Sequence, residues 1–225
     1  MTTALHRFTD TRYVSVDEEV QSGGRVVGRV VVTQAFPLKG AGALPAESIR
    51  LDGDGVVGDR RHAVVTGAGN LLTAEDEPRL RDVLAASTDA GPPLLTVPTA
   101  APGVQGEAAD VVLTAYLGRA VHVAPAAPAR TLDAPVHLVT RQALDAAAHG
   151  EHDAADCACS LFEPRANLVV DATDGREEGW IGRRLAIGDA VLRVLRRPGH
   201  CLGVYAEVER AGTVKAGDRV VLEEG

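Results

Sequence analysis

Apolar positions along this chain recur mainly at short, strand-like intervals. Residues 26–35 are rich in valine and predict a strand, and residues 47–52 and 60–65 predict two more around a glycine and aspartate turn. The C-terminal half reads the same way, with strands expected at 119–124, 136–139, 167–172, 183–187, 190–195, 202–209 and 219–223. In 202–209, Leu202, Val204, Ala206 and Val208 alternate with Gly203, Tyr205, Glu207 and Glu209, the pattern of a strand with one buried face. Helical spacing is confined to two places. Thr73 and Asp76 form a capping box ahead of Leu80, Val83 and Leu84, which predicts a helix ending near Thr88. Thr140 caps a second predicted helix over 141–149, stopped at Gly150. Residues 89–109 are dominated by proline, glycine and alanine and predict a loose excursion with one strand at 94–97. The pattern gives a mainly β fold with a few short helices (α+β), built from one or two small barrels.

Composition narrows the function classes. Lysine and arginine number 23 against 31 aspartates and glutamates, a net charge of −8, so attraction to a polyanion is disfavoured and no nucleic-acid partner is expected. No apolar run is long enough to span a bilayer, and residues 1–19 lack the apolar stretch of a secretory signal, so no membrane partner and a cytoplasmic location are expected. Aromatic residues make up 3%, which argues against a site of several stacked rings. Three cysteines suit a reducing compartment better than a disulfide framework. Arginine is written almost everywhere; Lys39 and Lys215 are the two lysines.

The stretch Gly53-Asp54-Gly55-Val56-Val57-Gly58 spells a dinucleotide fingerprint, but a strand follows it instead of a helix, and Asp52 and Asp54 would repel a pyrophosphate. It is a turn. His149, His152, Cys157 and Cys159 could offer two imidazoles and two thiolates to zinc, although Cys-x-Cys is not the spacing of common structural zinc sites. Cys201 follows Arg196, Arg197 and His200, a positive setting that favours the thiolate; as a packing residue it needs no such setting, and both readings stand on the local pattern. Lys39 lies between Pro37 and Gly40, Arg60 follows Gly58-Asp59, and Arg165 and Asn167 precede an apolar strand. Singly these are solvated residues; together they would be cationic and amide donors at strand ends, suited to an anionic, heteroatom-rich cofactor.

These residues resemble the MOSC domain proteins, named for the C-terminal domain of molybdenum cofactor sulfurases. The N-terminal resemblance rests on Phe36-Pro37-Leu38-Lys39-Gly40, Gly58-Asp59-Arg60, Leu72-Thr73 and Pro78-Arg79-Leu80. The C-terminal one rests on Arg165-Ala166-Asn167, Trp180-Ile181-Gly182, Ile187-Gly188, Cys201, Gly203-Val204-Tyr205 and Gly217-Asp218. It implies a lead-in over 1–25, a MOSC N-terminal β-barrel-like domain over 26–126 and a MOSC domain over 127–225, the MOSC-type barrel packed against the smaller N-terminal unit. Alanine stands at 166 where members carry proline, and Cys201 is one residue from Gly203 where many members insert a sizeable loop.

The resemblance implies a molybdenum-pyranopterin cofactor held by Lys39, Arg60, Arg165 and Asn167, with Cys201 as catalytic residue and metal ligand. The implied activity is reduction of N-hydroxylated or N-oxygenated small molecules with electrons from a separate donor protein. A persulfide carrier, in which Cys201 passes sulfur from a donor to an acceptor, is the second reading. A cofactor-binding module without catalysis is the third, favoured by the short connection after Cys201.

Overall fold

The computed structural model describes residues 23–88, 91–126, 134–149, 165–173, 177–199 and 202–224. Seven strands close into a barrel. Gly24–Gln34 pairs antiparallel with Leu168–Ala172 on one side and Arg219–Glu223 on the other. From Leu168–Ala172 the sheet continues through Val136–Thr140, in the barrel's parallel pairing, then Val204–Arg210, Ala190–Arg196 and Arg184–Ile187, which returns to Arg219–Glu223. The long first strand is bulged at Val26/Gly28 and again at Val30/Val32, and such bends help a sheet close. Gly28 sits at that crossing because a Cβ there would lie 2.5 Å from the Asp171 carbonyl oxygen.

Alternation along these strands fills the barrel with Val27, Val30, Leu138, Leu168, Leu185, Leu192, Val220 and Leu222. The small sheet of Ser48–Asp52, Gly55–Val56 and Gly212–Lys215 adds Ile49, Leu51, Val56 and Val214 to the same core. A second core lies among two further three-stranded sheets and a helix. One sheet holds His62–Thr66, Leu71–Leu72 and Val121–Pro125; the other holds Gly42–Ala43, Leu84–Ala86 and Leu94–Thr96. Among the described residues, no helix is long and apolar enough to cross a membrane.

Helix α1, Glu107–Leu117, begins at the end of the excursion expected over 89–109 and runs on through residues for which the sequence predicts no element. Ala109, Leu113 and Leu117 repeat every four residues along its buried face, acidic Glu107 and Asp110 occupy its first turn, and Gly118 ends it in the left-handed conformation. The helix expected over 73–88 does not form. Its capping box does: Thr73 and Asp76 exchange backbone-to-side-chain bonds at 3.2 Å in both directions. Pro78 then opens a 3₁₀ turn, Pro78–Asp82, and the chain leaves it as the strand Leu84–Ala86, which buries Ala85 between two partners. Sheet pairing overrides the local helical spacing here.

Helix α2, Arg141–Ala148, matches expectation, with the Thr140 hydroxyl accepting from the Ala143 amide at 3.1 Å. It lays Ala143 and Ala147 over Val139, Ala166 and Leu202 on the barrel.

Candidate functional site

The chain brings Lys39 and Arg60 together by laying two short segments side by side. After the first strand, residues 36–39 run alongside 59–62. The Arg60 amide donates to Phe36 O at 2.7 Å, the His62 amide to Pro37 O at 3.0 Å, and the Lys39 amide to His62 O at 2.8 Å. Arg165 arrives from the other half of the sequence, just ahead of Leu168–Ala172, with its Nη2 3.4 Å from Leu38 O. Both guanidinium groups pack on Phe36, with Arg60 Cζ 5.2 Å and Arg165 Cζ 4.8 Å from the ring centroid.

Lys39, Arg60 and Arg165 line one cleft of about 310 Å³, together with Arg81 from the 3₁₀ turn, Leu71, Leu72 and the Thr73–Glu75 turn. Four cations thus face one space in a chain of net charge −8, with Glu75 the single acid on the wall among the described residues. Burial, and then the neighbouring Arg60, pushes Arg165 down to about 9. Lys39 is lowered for the same two reasons in the same order. The Nε of Arg165 is buried without a hydrogen-bond partner among the described residues, an orphan donor that an anion would satisfy.

Arg60 itself carries backbone strain. Its φ of 50° is the one positive value at a non-glycine position among the described residues. Such conformations persist where the surroundings over-determine them. Here the Asp59 carboxylate pairs with the Arg60 guanidinium, accepts the Phe36 amide at 2.7 Å and accepts Asn167 Nδ2 at 3.2 Å.

Asn167 is fully buried and its carboxamide is committed within the protein. Oδ1 accepts the His137 amide at 3.1 Å, while Nδ2 donates to Asp59 and to Gln34 O at 3.3 Å. Its part is to fix the Asp59–Arg60 pair from the barrel side. Ala166 and Gln34 add a second tie, Gln34 Nε2 to Ala166 O at 2.8 Å.

Cys201 lies outside the described residues, as do His152, Cys157 and Cys159. The residues after Cys201 are anchored. Leu202 is buried and its carbonyl accepts from His137 Nε2 at 2.7 Å. Gly203, at φ +94°, would set a Cβ 2.1 Å from Leu138 O. His137 stacks edge-on against Tyr205 at 5.2 Å, and Arg196 lies over the other ring at 5.4 Å. His149 is exposed and its Nδ1 sits 2.7 Å from Asp145 O. Among the described residues no three metal-ligating side chains cluster.

Sequence reading alone did not single out Arg81 or His137. Arg81 is one of many arginines, and only the turn before Val83 aims it at the cleft. His137 sits inside an apolar strand with no local mark of a polar role.

Part of the chain has a counterpart among known families. Residues 27–111 match the family described as MOSC N-terminal beta barrel domain. Two solved structures align over most of the chain. The YuaD protein from Bacillus subtilis is 12% identical, with a TM-score of 0.40 over 91% of this chain and 98% of its own. A crystal structure of a hypothetical protein is 13% identical, with a TM-score of 0.41 over 88% of this chain and 69% of its own. No curated protein matches the chain.

Proposed function

We propose that the cation cleft holds the phosphate and pterin of a molybdenum-pyranopterin cofactor, and that the chain reduces N-hydroxylated or N-oxygenated small molecules. The observation that carries this reading is the convergence of Lys39, Arg60, Arg81 and Arg165 on one cleft, with the Arg165 Nε buried and unsatisfied. The donor set fits an anionic, acceptor-rich group, and the family match over 27–111 supports this reading. Cys201 is the proposed protein ligand to the metal, following the resemblance of the C-terminal half.

When bound, the molybdenum centre would supply the redox chemistry, with electrons from a separate donor. The chain's residues do the rest. Arg60 and Arg165, their guanidinium groups packed on Phe36, would neutralise the phosphate. Asp59 and Asn167 hold Arg60 so that no reorientation is needed when the anion arrives. Leu202 and Gly203, fixed against the strand Val136–Thr140, determine where the chain re-enters the barrel after Cys201.

A persulfide carrier on Cys201 is the second reading. Two assays on protein from a molybdenum-competent host separate them. Turnover of an N-hydroxylated amidine with a chemical reductant, lost in Cys201→Ala, supports the reductase. Cyanide-releasable sulfur stoichiometric with Cys201 and no such turnover supports the carrier.

A further inference from the structure

Lys39 is an amine set among guanidinium groups. It lines the cation cleft of about 310 Å³ together with Arg60, Arg81 and Arg165. Its main chain is fixed on both sides. The Lys39 amide donates to His62 O at 2.8 Å, and Gly40 follows at φ +81°, where an added Cβ would lie 3.2 Å from the Ala74 amide nitrogen. Arg60 is buried and paired with Asp59, which Asn167 bonds in turn. The four charges are close enough to repel one another. Burial and then Arg60 lower both Lys39 and Arg165, and Arg81 lowers Arg165 as well. The neutral form of a lysine is the nucleophile, and desolvation and a neighbouring cation are the two settings that favour it. Lys39 has both. A guanidinium at this position would hold an anion, but it stays protonated and forms no imine.

We propose that Lys39 is a carbonyl-capture site: the cleft takes a small phosphorylated aldehyde, its phosphate held by Arg60, Arg81 and Arg165 while the Lys39 amine condenses with the carbonyl. Three guanidinium groups around one space suit a dianion such as a phosphate monoester. The volume is at the low end for small-molecule sites, which limits the ligand to about one ring and its phosphate. In the step, Lys39 Nζ adds to the carbonyl carbon and the carbinolamine loses water. A C=N bond replaces the C=O bond, the aldehyde oxygen leaves in the water, and no oxidant or reductant takes part. The step is reversible. It fills the space that a cofactor phosphate would take, so capture and cofactor binding exclude one another. The inference rests on the anion-binding part of the proposed function and not on molybdenum.

The test uses the whole chain without added cofactor and pyridoxal 5′-phosphate as the probe. Borohydride traps the imine, and mass spectrometry of the digested chain assigns it. Lys215 is the internal control, since the chain has two lysines and this one is exposed at the end of the strand Gly212–Lys215. Lys39 should be labelled about tenfold faster than Lys215, sulfate should protect Lys39 alone, and pyridoxal without its phosphate should lose the preference. Arg81→Gln and Arg165→Gln should each slow Lys39 labelling about tenfold, the loss of one charge-assisted bond to phosphate. Should Arg165→Gln fail to fold by circular dichroism, the exposed Arg81→Gln decides. Equal labelling of the two lysines, or Lys39 labelling that sulfate does not slow, would overturn the proposal. Lys39 left unlabelled in a chain that binds sulfate would overturn capture and leave the anion site standing. Neither labelling nor sulfate binding would overturn both.

Discussion

Arg60 and Arg165, 105 residues apart in the chain, pack their guanidinium groups on the same Phe36 ring. Two like charges meet there on an aromatic plate, one of them paired with a carboxylate and the other with no partner on its Nε among the described residues. An anion in the cleft relieves that repulsion. Phe36→Leu should therefore leave the fold intact by circular dichroism yet weaken sulfate binding several-fold, as cation–π support of about 1 kcal/mol per guanidinium is lost. Unchanged sulfate affinity in a folded Phe36→Leu protein would show that the ring does not organise the cations.

The pH dependence of anion binding follows from Arg165 and Lys39. Both are pushed below their ordinary values by burial and by Arg60, Arg165 to about 9. Their protonated forms bind the anion, so affinity is fully present below the lowered values and falls as pH rises through about 9. Sulfate keeps its charge across this range and is the probe of choice. Flat affinity from pH 7 to 10 would contradict the assignment of these two cations to the anion.

Asn167→Leu tests the tie between barrel and cleft. It strands the Asp59 carboxylate, the Gln34 carbonyl and the His137 amide without one partner each, so a loss of about 2–4 kcal/mol in urea unfolding is expected. A loss within about 0.5 kcal/mol would mean that the network is not maintained in solution.

Gly203 is the stricter backbone position. With φ at +94° and the Leu138 carbonyl oxygen 2.1 Å from any added Cβ, Gly203→Ala should cost about 4 kcal/mol or more, or abolish soluble expression. Gly199, with nothing among the described residues within 4 Å of its ideal Cβ, is the control and should tolerate alanine.

The acidic limit of stability is expected to involve Glu77. Its bond to Arg79, helped by Arg119, holds the carboxyl at about 2 against an ordinary 4.5. A depressed carboxylate stabilises the fold above its unfolded value and loses that contribution as pH falls from about 4.5 toward 2. Glu77→Gln should flatten the stability profile in that window, measured by thermal unfolding at a series of pH values.

Much of the barrel was legible because its strands alternate cleanly: residues 184–187, 190–196 and 219–223 appear within a residue of where valine and leucine spacing puts them. What the sequence hid was long-range. Nothing local in residues 26–35 says that this strand closes a barrel made otherwise from residues after 135, since that depends on pairing with Leu168–Ala172 and Arg219–Glu223. Helix α1 was hidden by its proline- and glycine-rich approach, although Ala109, Leu113, Leu117 and Gly118 carry its signal. Thr73 and Asp76 gave a true capping box and a false helix, because the box closes a turn before Pro78. At the site, Lys39, Arg60 and Arg165 stood out beside glycine and proline, while Arg81 gained its place through the 3₁₀ turn and Asn167 proved to be bonded on every polar atom.

The most direct test of the account is molybdenum and pterin analysis of the chain expressed in a molybdenum-competent host, for wild type, Arg165→Ala and Cys201→Ala side by side. Stoichiometric molybdenum and pterin in wild type are expected, with pterin reduced in Arg165→Ala and molybdenum reduced in Cys201→Ala. Folded wild-type protein carrying neither would contradict the reading of the cation cleft as a molybdenum-cofactor site.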